Sequence, residues 1–571
     1  MFVPFSFRAA KAEAENKDAA NSLSRAGTRE AARVDEPAEP HILAAAYYRV
    51  GDDLHTTLML NNKSPHPVEV QPTLFSLSGE RLELAPVWVA EASFSEVDLR
   101  GQIGDNPAFQ SGSLQVLYHG KDLMVGSQVK IVDAARSLVF DEQLVEPAAM
   151  FVSTKLEGVW WLPSPRSEMR LALSNTTDTP LTIAARVDGI APHQREPFSL
   201  TLAPRETRLF ELPRDFNNCH GCALLKVGGI SLEHTGTPGA LLARAFVSQA
   251  ETGFSSSVQF IDPGKSRSTT LHGAGLRLGR SGGDELSPVI VARNIGDSET
   301  VIKARIPYTT GDGQMSALSL PQLRLSAGET KQLPLKRAFR SSHLPRGLRA
   351  AGLEFEYTGE PGSVVISAQS VGGSSNQVYR VPLLDPAAIP SGTGGYPWRV
   401  EGDSATVVYL KNVTDEPREY KLQLSYPGGV YSLGLRTIAA RQTLAWDVRA
   451  LRDGQAPDAQ GRAMPPDASE GQVHWSEQGP ETKTMIGRAE QADVAGGASS
   501  TYACFNCCPD SFLRDSMLPD SLTGFPGDQS QCDAMQQDQN CYGTPMEPYR
   551  VGATWTSDNV GMVMIDGELA S

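Results

Sequence analysis

The residues best able to do chemistry in this chain are its seven cysteines, which gather in two places. Cys219 and Cys222 share one loop, and Cys504, Cys507, Cys508, Cys532 and Cys541 lie further on. The runs Cys219-His220-Gly221-Cys222 and Cys504-Phe505-Asn506-Cys507 have the two-residue spacing that lets a pair of thiolates converge on one zinc ion. The two pairs stand in distant parts of the chain, however, and a zinc ribbon needs its halves close together. Structural disulfides are therefore expected, with metal binding and free thiols as the alternatives. In an exported protein Cys504, Cys507 or Cys508 would pair with Cys532 or Cys541 and staple a small unit, leaving one cysteine over. Haem attachment needs His directly after the second Cys, where Ala223 and Cys508 stand.

No other set of reactive residues converges. The ten histidines are scattered, without a His-Glu-x-x-His pair able to chelate a metal. Ser127 and Lys130 form an isolated Ser-x-x-Lys, which on a helix would put nucleophile and base one turn apart. Here they fall in an alternating stretch, Met124 to Val132, and on a strand their side chains point to opposite faces. There is no Gly-x-Ser-x-Gly elbow and no phosphate-binding loop, and acidic residues such as Glu206 and Asp403 sit in ordinary turns. The sequence predicts no enzyme, no catalytic or metal-binding residue and no cofactor.

Aromatic residues are the remaining candidates for ligand contact. Trp160, Trp161, Tyr396 and Trp398 would stack on sugar rings if exposed. Alternation along an opening strand instead predicts packing for them, as for Tyr47 and Tyr48. Asn62-Lys63-Ser64, Asn175-Thr176-Thr177 and Asn412-Val413-Thr414 satisfy the glycosylation triplet, yet they fall at one recurring turn where Asn is favoured by its own backbone hydrogen bonds.

That turn belongs to a repeat. An aromatic or Gly-rich opening leads to an alternating apolar strand, then Asn and a polar turn, then a second alternating strand. Leu58, Leu60 and Asn62 lead to Val68 and Val70, and Leu171, Leu173 and Asn175 lead to Leu181 and Ile183. Val289, Val291 and Asn294 lead to Val301, and Val408, Leu410 and Asn412 lead to Tyr420 and Leu422. The marker asparagines recur at roughly 110 to 120 residues, the length a two-sheet sandwich of about seven short strands requires. Period-two alternation bounded by Gly, Pro, Asn and Asp is the strand signature. The fold class predicted is all-β: tandem antiparallel β-sandwiches behind a leader that is disordered or a frayed helix.

The boundaries predicted are a leader at 1–40, sandwiches at 41–150, 151–266, 267–390 and 391–500, and a Cys-containing, incomplete unit at 501–571. On these patterns the copies resemble the immunoglobulin-like and fibronectin type III-like modules of bacterial exported proteins. Ser521 to Ala534 followed by Gly552 to Ala570 resembles the bacterial Ig-like domain group 2 family, through Gly527, Trp555, Ser557, Asn559, Asp566 and Gly567. The stretch Gln536 to Tyr549, rich in Gln and Pro, and the end at Ser571 depart from that pattern.

Bulk composition agrees with this reading. Gly 52 and Pro 39 with 20% charged residues suit a turn-rich β chain, and 40% apolar residues can fill several cores. With 51 basic against 66 acidic residues the net charge is -15, without a basic stripe for nucleic acid. No apolar run approaches the roughly 18 residues that span a bilayer. Met1 to Phe7 is apolar but short and lacks a preceding basic segment, so the sequence predicts an export signal upstream of it, with a cytoplasmic protein as the alternative. The function expected is a non-catalytic, secreted or cell-surface protein of spacer, adhesion or interaction modules with an unknown protein or glycan partner. The alternative is an accessory, carbohydrate-binding region of a larger secreted hydrolase.

Overall fold

A computed structural model describes residues 39–503, apart from residues 65, 122–123, 192–196, 213–222, 282–283, 336–337, 340–347, 349, 374–377, 403 and 494–497. All seven cysteines, and the stretch resembling the group 2 family, lie outside the described residues.

The chain is all-β. Its first strands are β1 (Glu39–Arg49), β2 (Leu54–Asn62), β3 (Val68–Ser76), β4 (Arg81–Glu83), β5 (Val87–Val89), β6 (Ser93–Asp98), β7 (Ser111–Gly120), β8 (Val125–Asp133) and β9 (Leu138–Gln143). They form two sheets, β1-β7-β3-β4 with β5 also on β3, and β6-β2-β8-β9. A second group follows: β10 (Lys155–Trp161), β11 (Glu168–Asn175), β12 (Leu181–Ala191), β13 (Phe198–Leu202), β14 (Thr207–Leu212), β15 (Ala223–His234), β16 (Leu241–Gln249) and β17 (Phe254–Ile261). Here β17 pairs on both sides and joins the two halves into one path, β13-β12-β15-β10-β17-β16-β11-β14.

The third group is β18 (Thr270–Arg277), β19 (Gly279–Ser281), β20 (Asp284–Asn294), β21 (Thr300–Thr309), β22 (Met315–Ser319), β23 (Leu323–Leu325), β24 (Thr330–Gln332), β25 (Ala350–Tyr357), β26 (Val364–Gly372), β27 (Val378–Val381) and β28 (Leu383–Leu384). Its sheets run β22-β21-β25-β18-β28, with β23 on β21, and β19-β20-β26-β27, with β24 on β20. The fourth is β29 (Thr393–Arg399), β30 (Ser404–Asn412), β31 (Arg418–Tyr426), β32 (Gly429–Ile438), β33 (Thr443–Asp447), β34 (Glu470–Gln478), β35 (Met485–Asp493) and β36 (Ala498–Ala503), in sheets β29-β34-β31-β32 and β33-β30-β35-β36.

Each group has one apolar core between its sheets, supplied by alternate residues of facing strands. Leu58, Leu60, Val70 and Val116 fill the first, Trp160, Leu171 and Ile183 the second, Ile290, Ile302 and Phe355 the third, and Trp398, Val408, Leu422 and Trp475 the fourth.

One local device ends a long early strand in every group: β2, β11, β20 and β30. The side-chain amides of Asn62, Asn175, Asn294 and Asn412 donate at 2.7 Å to the carbonyl four residues on, of His66, Thr179, Ser298 and Glu416. They donate again to a carbonyl across the sandwich edge, of Ala90, Ala203, Ser326 and Ala439. Each Oδ1 accepts the N–H two residues on at 2.9 Å, from Ser64, Thr177, Gly296 and Thr414. A buried carboxamide with donors and acceptor all in use closes the turn and ties it to the opposite segment. Replacing it with an apolar side chain would leave buried carbonyls without donors, at roughly 1–3 kcal/mol apiece.

The four groups pack on one another, within a single compact unit that begins at Glu39. The strand that ends in the marker asparagine lies against the first strand of the group before it: β11 on β1, β20 on β10 and β30 on β18. The circuit then closes, because β34 of the fourth group meets β6 and β2 of the first. Near the meeting point of the groups, β9 lies against β17 and β36, and β36 lies against β27.

Candidate functional site

The most heavily functionalised places in the described chain are the seams between these groups. Their chemistry follows from the outward-facing residues of the strand that ends in the marker asparagine, counted back from it. In β20 these are Val289, Val291 and Arg293; in β30, Val407, Tyr409 and Lys411; in β11, Arg170, Ala172 and Ser174; in β2, Thr57, Met59 and Asn61.

The seam between the second and third groups buries Val159, Val289, Val291 and Val365. Arg293 crosses it with no exposure and donates to Glu157 at 2.7 Å, to Asp188, and to the Ser231 hydroxyl at 3.0 Å. Burial pushes the Glu157 carboxyl up, and Arg293 opposes that shift. Two acids and one guanidinium removed from water hold only as a set, since loss of the cation strands both anions.

Between the third and fourth groups lie Ala274, Ile389, Val407, Tyr409, Val413 and Ile486. Lys411 reaches Glu354 at 3.1 Å, and burial lowers its ammonium to about 8 against the pull of that acid. Arg488 donates to the carbonyls of Ala274 and Gly275, and Arg277 pairs with Glu490. His272 is buried here, and burial, then the charges of Lys411 and Arg441, hold it down to about 3.

The seam between the first and second groups clusters Tyr47, Ile131, Ala172 and Phe246, with the Tyr47 and Phe246 ring centroids 5.5 Å apart. Its edge carries Arg205 over the Phe75 ring and the Thr207 N–H on the Leu77 carbonyl.

The closing seam differs in kind. Asn61 accepts from the Gln472 amide, Arg399 pairs with Glu96 at 3.0 Å and lies over Phe94, and Met59 alone packs on the fourth core. His474 is buried beneath it, lowered to about 4 by burial and by Lys63.

The aromatic candidates sit in these interiors. Trp160, Tyr396 and Trp398 are buried, so no ring face is open to a sugar. The indole N–H groups of Trp160 and Trp398 donate to the carbonyls of Leu225 and Ser425. Trp161 is half-buried, edge-on to Phe254 and beside Lys226. The three buried rings pack in the cores, as strand alternation predicts, which leaves no face for stacking on a sugar. Trp88, which spacing did not single out, is 65% exposed on the short edge strand β5. Its only sequence signal is its place in a brief apolar run beside Pro86.

Ser127 and Lys130 do not meet: the Ser127 hydroxyl donates to the Met59 carbonyl. Among the described residues no group of three metal-ligating side chains gathers. Among them, too, no helix is long and apolar enough to cross a membrane. What sequence reasoning missed are the buried charges Arg293, Lys411 and Arg488. For Arg293 and Lys411 the signal was position, a cation directly before a marker asparagine in two of four copies; Arg488 has no such mark.

No protein-family model matches this chain, and no curated protein matches it.

Proposed function

We propose that the chain is a non-catalytic, secreted or cell-surface protein whose four sandwiches act together as one stiff interaction body. The observation that supports this reading is the seam chemistry: β20 and β30 are buried on both faces and knitted to their neighbours by desolvated ion pairs. Such seams suppress the hinge motion that is the default between tandem domains. A body of this kind holds a surface or an attached segment in a fixed orientation, which is what adhesion and presentation require. The cysteines, read as disulfides, suit an oxidising compartment. The segment from Ser521 to Ala570 is, on this reading, part of a bacterial Ig-like group 2 module carried by the body. Protease shaving of intact cells, followed by fractionation, tests the proposal. Release of fragments of this chain from the surface, or recovery from the medium, is expected; a chain found whole in the cytoplasm overturns it.

A further inference from the structure

Of the described methionines, Met124, Met150, Met169, Met464 and Met485 are buried, while Met59 and Met315 keep part of their surface open to solvent. Met315 stands on the edge strand β22, where its sulfur accepts from the Thr309 hydroxyl at 3.6 Å. Met59 stands where the first and fourth groups meet. Its backbone pairs on both sides, with Glu96 of β6 and Gln128 of β8, so the open surface belongs to the side chain. That side chain packs on the fourth core, and among the described residues it is the only apolar one of the first group to do so. Polar contacts flank it. Asn61, two residues on, accepts from the Gln472 amide, and Glu96, opposite on β6, pairs with Arg399 at 3.0 Å. A partly open thioether is thus the apolar centre of the closing seam.

We propose that Met59 is an oxidation site that unlatches this seam: hydrogen peroxide converts its thioether to the sulfoxide, and the first and fourth groups part. The sulfur attacks one oxygen of the peroxide, the O–O bond breaks as an S–O bond forms, and after proton transfer water leaves. Sulfur loses two electrons and the peroxide gains them. The product carries a strongly polar S–O bond that must shed its water to stay against apolar side chains, so the closed seam is disfavoured. The equivalent outward positions of β11, β20 and β30 carry no sulfur, which confines the effect to the seam that closes the circuit. Sulfoxide reductases return the thioether at the expense of a thiol, so the latch resets.

Peptide mapping by mass spectrometry and hydrogen exchange, on the full chain before and after brief treatment with hydrogen peroxide, test this. Met59 and Met315 should gain oxygen well before the buried methionines do. Exchange in β6 and β34 should then quicken about tenfold while β10 and β20 stay unchanged. Methionine sulfoxide reductase should restore the slow exchange. Met59→Leu keeps an apolar side chain without the sulfur, so peroxide should leave its β6 and β34 as they were, whereas Met315→Leu should respond like the parent chain. Met59 staying reduced while buried methionines oxidise overturns the proposal. So does Met59 sulfoxide with unchanged exchange in β6 and β34, or a quickening that persists in Met59→Leu, which would assign it to another group such as the cysteines.

Discussion

The seam between β20 and β10 and the seam between β2 and β34 are built with the same strand of the repeat and to opposite ends. In the first, Val289, Val291 and Arg293 bury an apolar patch and then a fully desolvated cation with two acids. In the second, the equivalent positions hold Thr57, Met59 and Asn61, and the contacts include one amide pair, one thioether, the buried stem of Lys63 against Gly395 and a partly exposed Arg399–Glu96 pair. Groups that adjoin in sequence are held by burial; the pair that meets only because the circuit closes is held by polar fit. Burial is strong and tolerant of register, whereas hydrogen bonds between charged or amide groups are weak and geometrically strict. Closure therefore adds orientation more than stability, and it is the contact that gives way first.

Removing the cation from the strong seam should break this contrast most visibly if the contrast is wrong. Arg293→Ala strands Glu157 and Asp188 in a dry interface, and should cost about 3–5 kcal/mol in urea unfolding. A loss below about 1 kcal/mol would place this seam in the same class as the closing one. Acid is the next largest lever, because it reaches both kinds of seam. His474 and His272 are held below their ordinary value when folded, to about 4 and about 3. An unfolded chain takes up those protons near pH 6.5. Their contribution is thus complete above about pH 6.5 and is lost as pH falls through 6.5 toward 4. The unfolding free energy from urea at pH 5 should fall below that at pH 7 by roughly 2 kcal/mol for each histidine, about 4 kcal/mol for the two. His474→Gln should flatten part of that slope and His272→Gln the rest; a slope unchanged in both variants refutes the assignment.

The smaller effects sharpen the comparison. A double-mutant cycle of Asn61→Ala and Gln472→Ala should return a coupling of about 1 kcal/mol, the value of a neutral hydrogen bond. Glu96→Ala should cost less than about 1 kcal/mol, since both partners of Arg399–Glu96 keep water contact. Yet hydrogen exchange should quicken in β6 and β34 and not in β10 and β20. Uniform quickening would mean that the four seams open together.

Much of this was written in the alternation of the strands and some of it was not. Period-two patterns around Leu58, Leu171 and Val408 predict strands and a two-sheet core, because inward residues must be apolar whatever surrounds the sandwich. The seams left a fainter trace. Runs such as Pro288 to Ala292 and Val407 to Leu410 are apolar at every position, the mark of a strand buried on both faces, whereas in β2 the outward positions hold Thr57, Met59 and Asn61. Their partners are invisible locally: Arg293 meets Glu157 and Gln472 meets Asn61 across large separations that only the packed body brings together. Alternation predicts packing for Trp160 and Trp398, although an aromatic at a strand opening looks the same in sequence whether it faces solvent or core.

The marker asparagines have one practical consequence. In three of the four turns the Asn begins an acceptor triplet, and its Nδ2 is the atom an oligosaccharide would occupy. In the finished protein that nitrogen is enclosed and donates to two carbonyls. A eukaryotic secretory host, however, meets the nascent chain before those carbonyls are in place. Sugar added there would bar the turn from closing, so production in such cells becomes a race between the transferase and folding, and bacterial expression avoids it.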